Sequence, residues 1–168
     1  MPAPKVMRPD FPAGYIEAPK TLLTWDAVVD RLVDARNYWL CTVRPDGRPH
    51  TVPVWGVWIE APPDGPAFYF DGSPQTRHAR NLAHNPHVAV HLESGDQVVI
   101  VEGVAHVLAK PASALAAALA RDYGRKYESY APSPDQWDGG GLYRVTPLSA
   151  LAWTNFMDDP TKFVFQGQ

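Results

Sequence analysis

Apolar and polar positions alternate in short runs along most of this chain and switch to a helical period in three places. Trp25, Val28, Val29, Leu32 and Val33 recur on one side of a predicted helix over 24–35. Strand 38–43 is joined by Arg44-Pro45-Asp46-Gly47-Arg48, a turn sequence, to a strand over 50–59. A second turn at 61–66 leads to strand 67–71. Thr76 then stands as N-cap to a short helix carrying Ala79, Leu82 and Ala83, and Asn85-Pro86 breaks into strand 87–93. The turn Glu93-Ser94-Gly95-Asp96 opens a long strand, 97–108, apolar on both faces and so expected to be buried by the core and by a partner. A helix over 111–130 presents Leu115, Leu119, Tyr123 and Tyr127 in one stripe, with Pro111 in its first turn. The Pro- and Gly-rich stretch 131–141 reads as a flexible loop, and strands at 142–146, 149–154 and 162–165 close the pattern. Residues 1–20 hold five prolines with little periodicity, an extended arm that is either disordered or laid over a neighbouring surface. The pattern predicts a mainly β fold, a small closed or partly open antiparallel barrel in a single domain, 21–168.

Composition narrows this picture without changing it. The 168 residues are 45% hydrophobic and 20% charged, in the range of an ordinary folded domain. A net charge of −3 argues against a broad nucleic-acid footprint or a polybasic membrane surface, while leaving room for a local cationic pocket. The lone Cys41 excludes an internal disulfide and reads as an inert thiol in a strand, and the absence of a membrane-length apolar run points to a cytoplasmic protein.

Two stretches carry candidate chemistry. The helix after Thr76 opens with Arg77, His78 and Arg80 and has no acid in its first turn. The helix dipole disfavours cations there, so amides, a hydroxyl and guanidinium groups converging on one point suggest an anion site, phosphate above all; the alternative is a solvated loop with surface arginines. Pro53 interrupts strand 50–59. Proline cannot donate to a ladder, so its neighbours' backbone groups either face a ligand or mark an edge strand. His84, His87 and His91 lack a carboxylate or thiolate at short range and make a poor metal site.

The order hairpin, Pro-Val-Trp strand, Phe-Tyr-Phe strand, Ser-x-x-Thr-Arg-x-Ala-Arg-Asn-Leu, Asn-Pro and Val-rich strand resembles the pyridoxamine 5′-phosphate oxidase-like flavin-binding split barrel over about residues 22–165. More narrowly it is similar to the branch that uses the deazaflavin coenzyme F420 in place of FMN. The resemblance implies a homodimer of six-stranded antiparallel barrels with cofactors at the subunit interface. It implies that Thr76 and Arg77 hold the cofactor phosphate, with His78 where many members carry a lysine or arginine. Thr51, Val52, Pro53 and Val54 would run beside the ring and offer it backbone hydrogen bonds. Tyr69, Phe70 and Ser73 would lie at the strand end leading into the phosphate loop. Gln97 and Val98 would reach the partner's cofactor, and Trp153 would border the ring pocket. Lys162 stands where the deazaflavin branch has an arginine. Arg44, Arg48, Arg80 and Lys126 are candidates to hold an anionic cofactor tail, and His50 and Tyr69 to supply a proton. The activity implied is hydride transfer from a reduced deazaflavin to an unsaturated or quinone-like small molecule. The alternatives are an FMN-dependent oxidase or reductase and a non-catalytic binder of a flavin, F420 or haem.

Overall fold

The computed structural model describes residues 3–16, 20–60 and 65–165. Most of the expected 61–66 turn lies outside them, as do parts of the 1–20 arm. In chain order the elements are β1 (Lys5–Met7), α1 (Trp25–Asp34), β2 (Tyr38–Val43), β3 (Pro49–Val54), β4 (Gly56–Ile59), β5 (Ala67–Asp71), α2 (Arg77–His84), β6 (His87–His91), β7 (Val98–Leu108), α3 (Ser113–Lys126), a 3₁₀ turn (Pro134–Trp137), β8 (Leu142–Trp153) and β9 (Thr161–Val164).

All strand pairings are antiparallel. Hydrogen bonding defines nine strands among the described residues, where the resemblance implied six. The difference has a geometric cause. β3 pairs with β2, and β4, which continues the same stretch of chain, pairs with β5. Counted as one bent strand, β3–β4 closes a ring with β5, β8, β7, β6 and β2, and β9 and β1 are added on the far half of β8. The bend falls at Trp55, so the expected strand 50–59 is two strands.

Gly56 makes the bend possible. A Cβ there would stand 2.4 Å from the Phe68 ring and 2.5 Å from the Tyr69 carbonyl oxygen, so only glycine lets β4 approach β5 so closely. Its backbone is tied down from α3: Gly56 N–H donates to Tyr127 Oη at 2.9 Å, and that hydroxyl donates to the Arg36 carbonyl at 2.7 Å.

Side-chain alternation then fills two cores. Phe68 and Phe70 point into the barrel with Leu40, Val90, Val101 and Val145, and Trp25, Val28 and Leu32 of α1 close its end. Ala67 and Tyr69, on the other pleat face of β5, join Val57 and Leu142 under Leu119, Tyr123 and Tyr127 of α3. β5 is therefore hydrophobic from Ala67 to Phe70 because that stretch is buried on both faces.

On β7, Val99, Val101 and Ala105 are buried in the barrel, while on its outer face Val98 is buried, Ile100 and Val104 are half-buried and Glu102 and His106 exposed. Two other expectations change. β8 runs unbroken from 142 to 153, absorbing Pro147 and the extra Leu148 as a bulge opposite Glu102 and Gly103. α3 starts at Ser113, leaving Pro111 ahead of it. The arm is laid over its own chain: β1 pairs with β9, and Phe11 packs edge-on against Phe156 at 5.8 Å. No helix among the described residues is long and apolar enough to cross a membrane.

Candidate functional site

α2 begins as its sequence predicts. Thr76 is extended (φ −65°, ψ 158°) and its Oγ1 accepts from Ala79 N–H at 3.3 Å, while the Thr76 carbonyl accepts from Arg80 N–H at 3.2 Å. The first-turn amides of Arg77 and His78 remain at the open helix end, with no acidic residue in that turn. The turn into the helix is fastened by Ser73, whose Oγ accepts from Gln75 N–H at 3.2 Å and whose carbonyl accepts from Thr76 N–H at 3.1 Å.

A chain of hydrogen bonds fixes where this helix end sits. Asn81, fully buried on α2, donates through Nδ2 to Thr42 Oγ1 on β2 at 2.9 Å, and Thr42 Oγ1 donates to the His50 carbonyl on β3 at 3.3 Å. The β2–β3 register places Thr42 opposite His50, and Arg44 follows two residues beyond Thr42. Arg44, His50 and Arg77 thus gather beside the start of α2.

The electrostatics mark the place. Burial pushes the His50 imidazole below its ordinary pKa, and the Arg44 and Arg77 guanidinium groups push it further. His78 is 9% exposed, its ring edge-on to Phe70 at 5.9 Å; burial, then His50, holds its pKa down. His78 is therefore a neutral wall behind the site rather than a cation in it. Arg44 Nε, His50 Nδ1 and His78 Nε2 are buried without a hydrogen-bond partner among the described residues. Leaving a buried donor or acceptor unpaired costs about 1–3 kcal/mol; the Arg44 Nε–H calls for water or an anion, and each neutral imidazole nitrogen for a donor or an acceptor according to its tautomer.

A histidine held below its unfolded pKa takes up its proton more readily when unfolded. The stability this withholds is fully present above the unfolded value of about 6.5 and is lost as pH falls towards the folded value. Denaturant unfolding of the free chain is expected to show stability falling below about pH 6.5. A His50→Gln, His78→Gln double variant should have a shallower slope, and an unchanged slope would contradict the electrostatics described.

The other expected site residues fall into three places. Thr51, Val52, Pro53 and Val54 line the open edge of β3, which among the described residues pairs only with β2; Thr51 and Pro53 are exposed and Val52 and Val54 half-buried. Thr51 Oγ1 donates to Cys41 Sγ at 3.3 Å. Ser73, Thr76 and Arg77 stand together at the α2 end. Gln97, Val98 and Trp153 lie at the opposite end of the strands, Val98 opposite Trp153, whose carbonyl accepts from Arg31 Nη1 at 3.1 Å. Lys162 is exposed on β9, opposite Leu151 and Met7.

Tyr69 and Phe70 lie at the strand end that leads into the Ser73–Thr76 turn, as expected, with side chains 1% and 0% exposed in the two cores and β5 paired on both edges. Arg48 is held by Asp46 at 2.7 Å, and Lys126 lies beside Tyr38 at the other end of β2, so neither joins the cluster; Arg80 is exposed on α2. Arg44 and His50 are the members whose place the motif alone did not give. The hairpin register was their signal, since a turn at 44–48 sets Thr42 against His50.

Comparison with known proteins agrees with the fold. A conserved hypothetical protein from Mycobacterium tuberculosis superposes with a TM-score of 0.65 at 22% identity, over 82% of this chain and 88% of that one. An F420 reductase gives 0.53 at 23% identity, over 72% and 94%. The haem storage protein HutZ from Vibrio cholerae gives 0.55 at 21% identity, over 76% and 91%. At such identities the likeness is one of fold. No curated protein matches the chain in sequence. The sequence profile of one family, pyridoxamine 5′-phosphate oxidase, matches residues 24–165, and the chain belongs to that family.

Proposed function

We propose that the chain is an oxidoreductase that binds coenzyme F420 and passes hydride to an unsaturated or quinone-like small molecule, acting as a cytoplasmic homodimer. The observation that carries this reading is the cluster of Arg44, His50 and Arg77 at the acid-free first turn of α2, with Arg44 Nε and His50 Nδ1 buried and partnerless among the described residues, beside the open edge of β3. A flat ring joined to a phosphate fits such a pair of features: cations at one end, backbone groups along a free strand edge at the other. The structural likeness to an F420 reductase supports the choice of cofactor.

A bound deazaflavin or flavin supplies the hydride chemistry, and the chain supplies grip and orientation. Arg44 and Arg77 hold the phosphate with the first-turn amides of α2. Thr76 Oγ1 already accepts from Ala79, so its proton is free to be donated to the phosphate. Val52 and Val54 present backbone groups to the ring, and Pro53 contributes a carbonyl without an N–H. Gln97, Val98 and Trp153, at the far end of the strands, serve the partner's site in the dimer. Ile100 and Val104, half-covered on the outer face of β7, are the apolar area such a dimer would bury.

FMN is the second reading, favoured by one observation. Of the four cations available for an anionic tail, Arg48 is already paired, Lys126 sits elsewhere and Arg44 is engaged by the phosphate in this reading, which leaves Arg80. Fluorescence titration of the purified protein separates the two: F420 is expected to bind more tightly than FMN. Tighter FMN binding, or binding of both with no reduction of any acceptor, overturns the F420 assignment or the enzymatic one respectively. A monomeric mass at micromolar concentration would remove the shared site.

A further inference from the structure

At the end of β2 away from the anion cluster, α1, β4 and the C-terminal part of α3 line an open cavity of about 580 Å³. Four consecutive residues of β4 and its end, Val57 to Glu60, line it, which happens when a strand turns its unpaired edge to a space; β4 pairs only with β5. Val57 and Trp58, 2% and 5% exposed, make an apolar floor with Ile59. A cavity of this size suits a small organic molecule.

The charges around it are not balanced once their partners are counted. Glu60 keeps its negative charge, its two oxygens accepting from the neutral indole N–H groups of Trp25 and Trp58 at 2.8 Å each, so the three acids and three cations of the lining are tipped to one excess positive charge only by Arg121, which lies outside it. Asp122 accepts from Arg121 through both oxygens, at 2.9 and 3.2 Å. Asp34 stands exposed at the mouth. On the cationic side, Arg36 donates to the Lys126 carbonyl at 3.3 Å and lies over the Trp55 and Tyr127 rings. Arg125 and Lys126 have no carboxylate within ion-pair distance among the described residues. Lys126 Nζ donates only to neutral oxygens, Tyr38 Oη at 2.7 Å and the Gly56 carbonyl at 3.4 Å, and lies 5.0 Å above the Tyr38 ring.

We infer that this cavity binds a small carboxylate with an apolar body, with Lys126 as its counter-ion and Arg125 as a second cation at the mouth. The site shares no residue with the anion cluster beside α2 and does not depend on which cofactor that cluster holds. Burial draws the Lys126 amine down to about 8 against the opposing pull of Asp34 and Asp122, so the ammonium is charged at neutral pH yet poorly solvated. A carboxylate docking against it raises that value. Affinity is then present below about pH 8 and is lost as pH rises through the raised value of the complex.

Octanoate, measured by isothermal titration calorimetry on the full chain at pH 7 and 9.5, is the probe. Binding is expected at pH 7, weaker at pH 9.5, and weaker for octan-1-ol at either pH. Lys126→Met should lower octanoate affinity about tenfold, the effect of losing one charge-assisted hydrogen bond. Arg125→Gln, at an exposed position, should lower it less, and Arg77→Ala should leave it unchanged. No octanoate binding at pH 7, equal binding of the alcohol, or full affinity in folded Lys126→Met protein overturns the inference. If Lys126→Met does not fold, unchanged affinity in Arg125→Gln together with a flat pH profile does the same. Sensitivity to Arg77→Ala would place the octanoate in the anion cluster, and the cavity would lose its ligand.

Discussion

Replacing Arg44 and Arg77 together with alanine is expected to weaken binding of the phosphate-bearing cofactor by about 3–6 kcal/mol, some two to four decades in Kd. Each guanidinium contributes a charge-assisted hydrogen bond of about 1.5–3 kcal/mol, and the single variants should divide the loss between them. Because both act on one anion, the two losses are coupled, and the cycle measures that coupling. The fold should tolerate the change. Arg77 is exposed and carries no ion pair among the described residues, Arg44 Nε has no partner to lose, and the pair repel each other and any proton on His50. Thermal or denaturant unfolding should therefore show stability kept or slightly raised while affinity collapses. The His50 imidazole should also titrate at higher pH in the double variant, which NMR of its ring protons reads directly. An unchanged Kd in a folded double variant would place the phosphate elsewhere and remove the ground for the proposed function.

The features that make this experiment interpretable differ in how far the sequence announces them. The cap at Thr76, the acid-free first turn and the hairpin over 38–54 are local. Each depends on residues within a few positions, and a turn as short as Pro45-Asp46-Gly47 leaves one register for its flanking strands. The barrel core is legible for a similar reason, since inward and outward residues of β2 alternate in the sequence as they do in space. What the sequence hides is decided by contacts between distant segments. The bend at Trp55 depends on Gly56 meeting the Phe68 ring and on Tyr127 from α3, and nothing near residue 55 declares either partner. Pro147 looks like a strand end, yet the bulge opposite Glu102 and Gly103 carries β8 through it. His78 reads as a cation beside Arg77 because the sequence does not say which helical residue faces Phe70. The arm at 1–20 has no periodicity of its own and gains a strand only by pairing with β9.

The stretch 131–141 is the clearest case of such hidden order, and it yields the largest expected loss of stability. Its prolines and glycines suggest a flexible loop, but Trp137 in its 3₁₀ turn is 1% exposed and packs beside Tyr123 at 6.0 Å. The Trp137 indole N–H donates to Asp71 Oδ2 at 3.1 Å, and the Tyr130 hydroxyl donates to the same oxygen. Gly72 N–H donates to the Gly141 carbonyl at 2.9 Å, with Gly141 at φ +84° and a Cβ there 3.1 Å from the Gly72 carbonyl oxygen. The loop is thus a strap fastened to Asp71 and Gly72, the two residues that lead into the Ser73–Thr76 turn. Trp137→Ala should cost about 3–5 kcal/mol in denaturant unfolding, the usual penalty for emptying a buried tryptophan site. Amides of 131–141 should lose hydrogen-exchange protection with it. Trp137→Phe keeps most of the ring volume and loses only the bond to Asp71, which Tyr130 still occupies, so about 1–2 kcal/mol is expected there. A loss below about 1 kcal/mol for the alanine variant would mean the strap is not a structural part of the domain. Cofactor affinity separates this effect from the electrostatic one. The arginine variants lose affinity and keep stability, whereas Trp137→Ala should lose stability first and affinity only as far as the Ser73–Thr76 turn loosens.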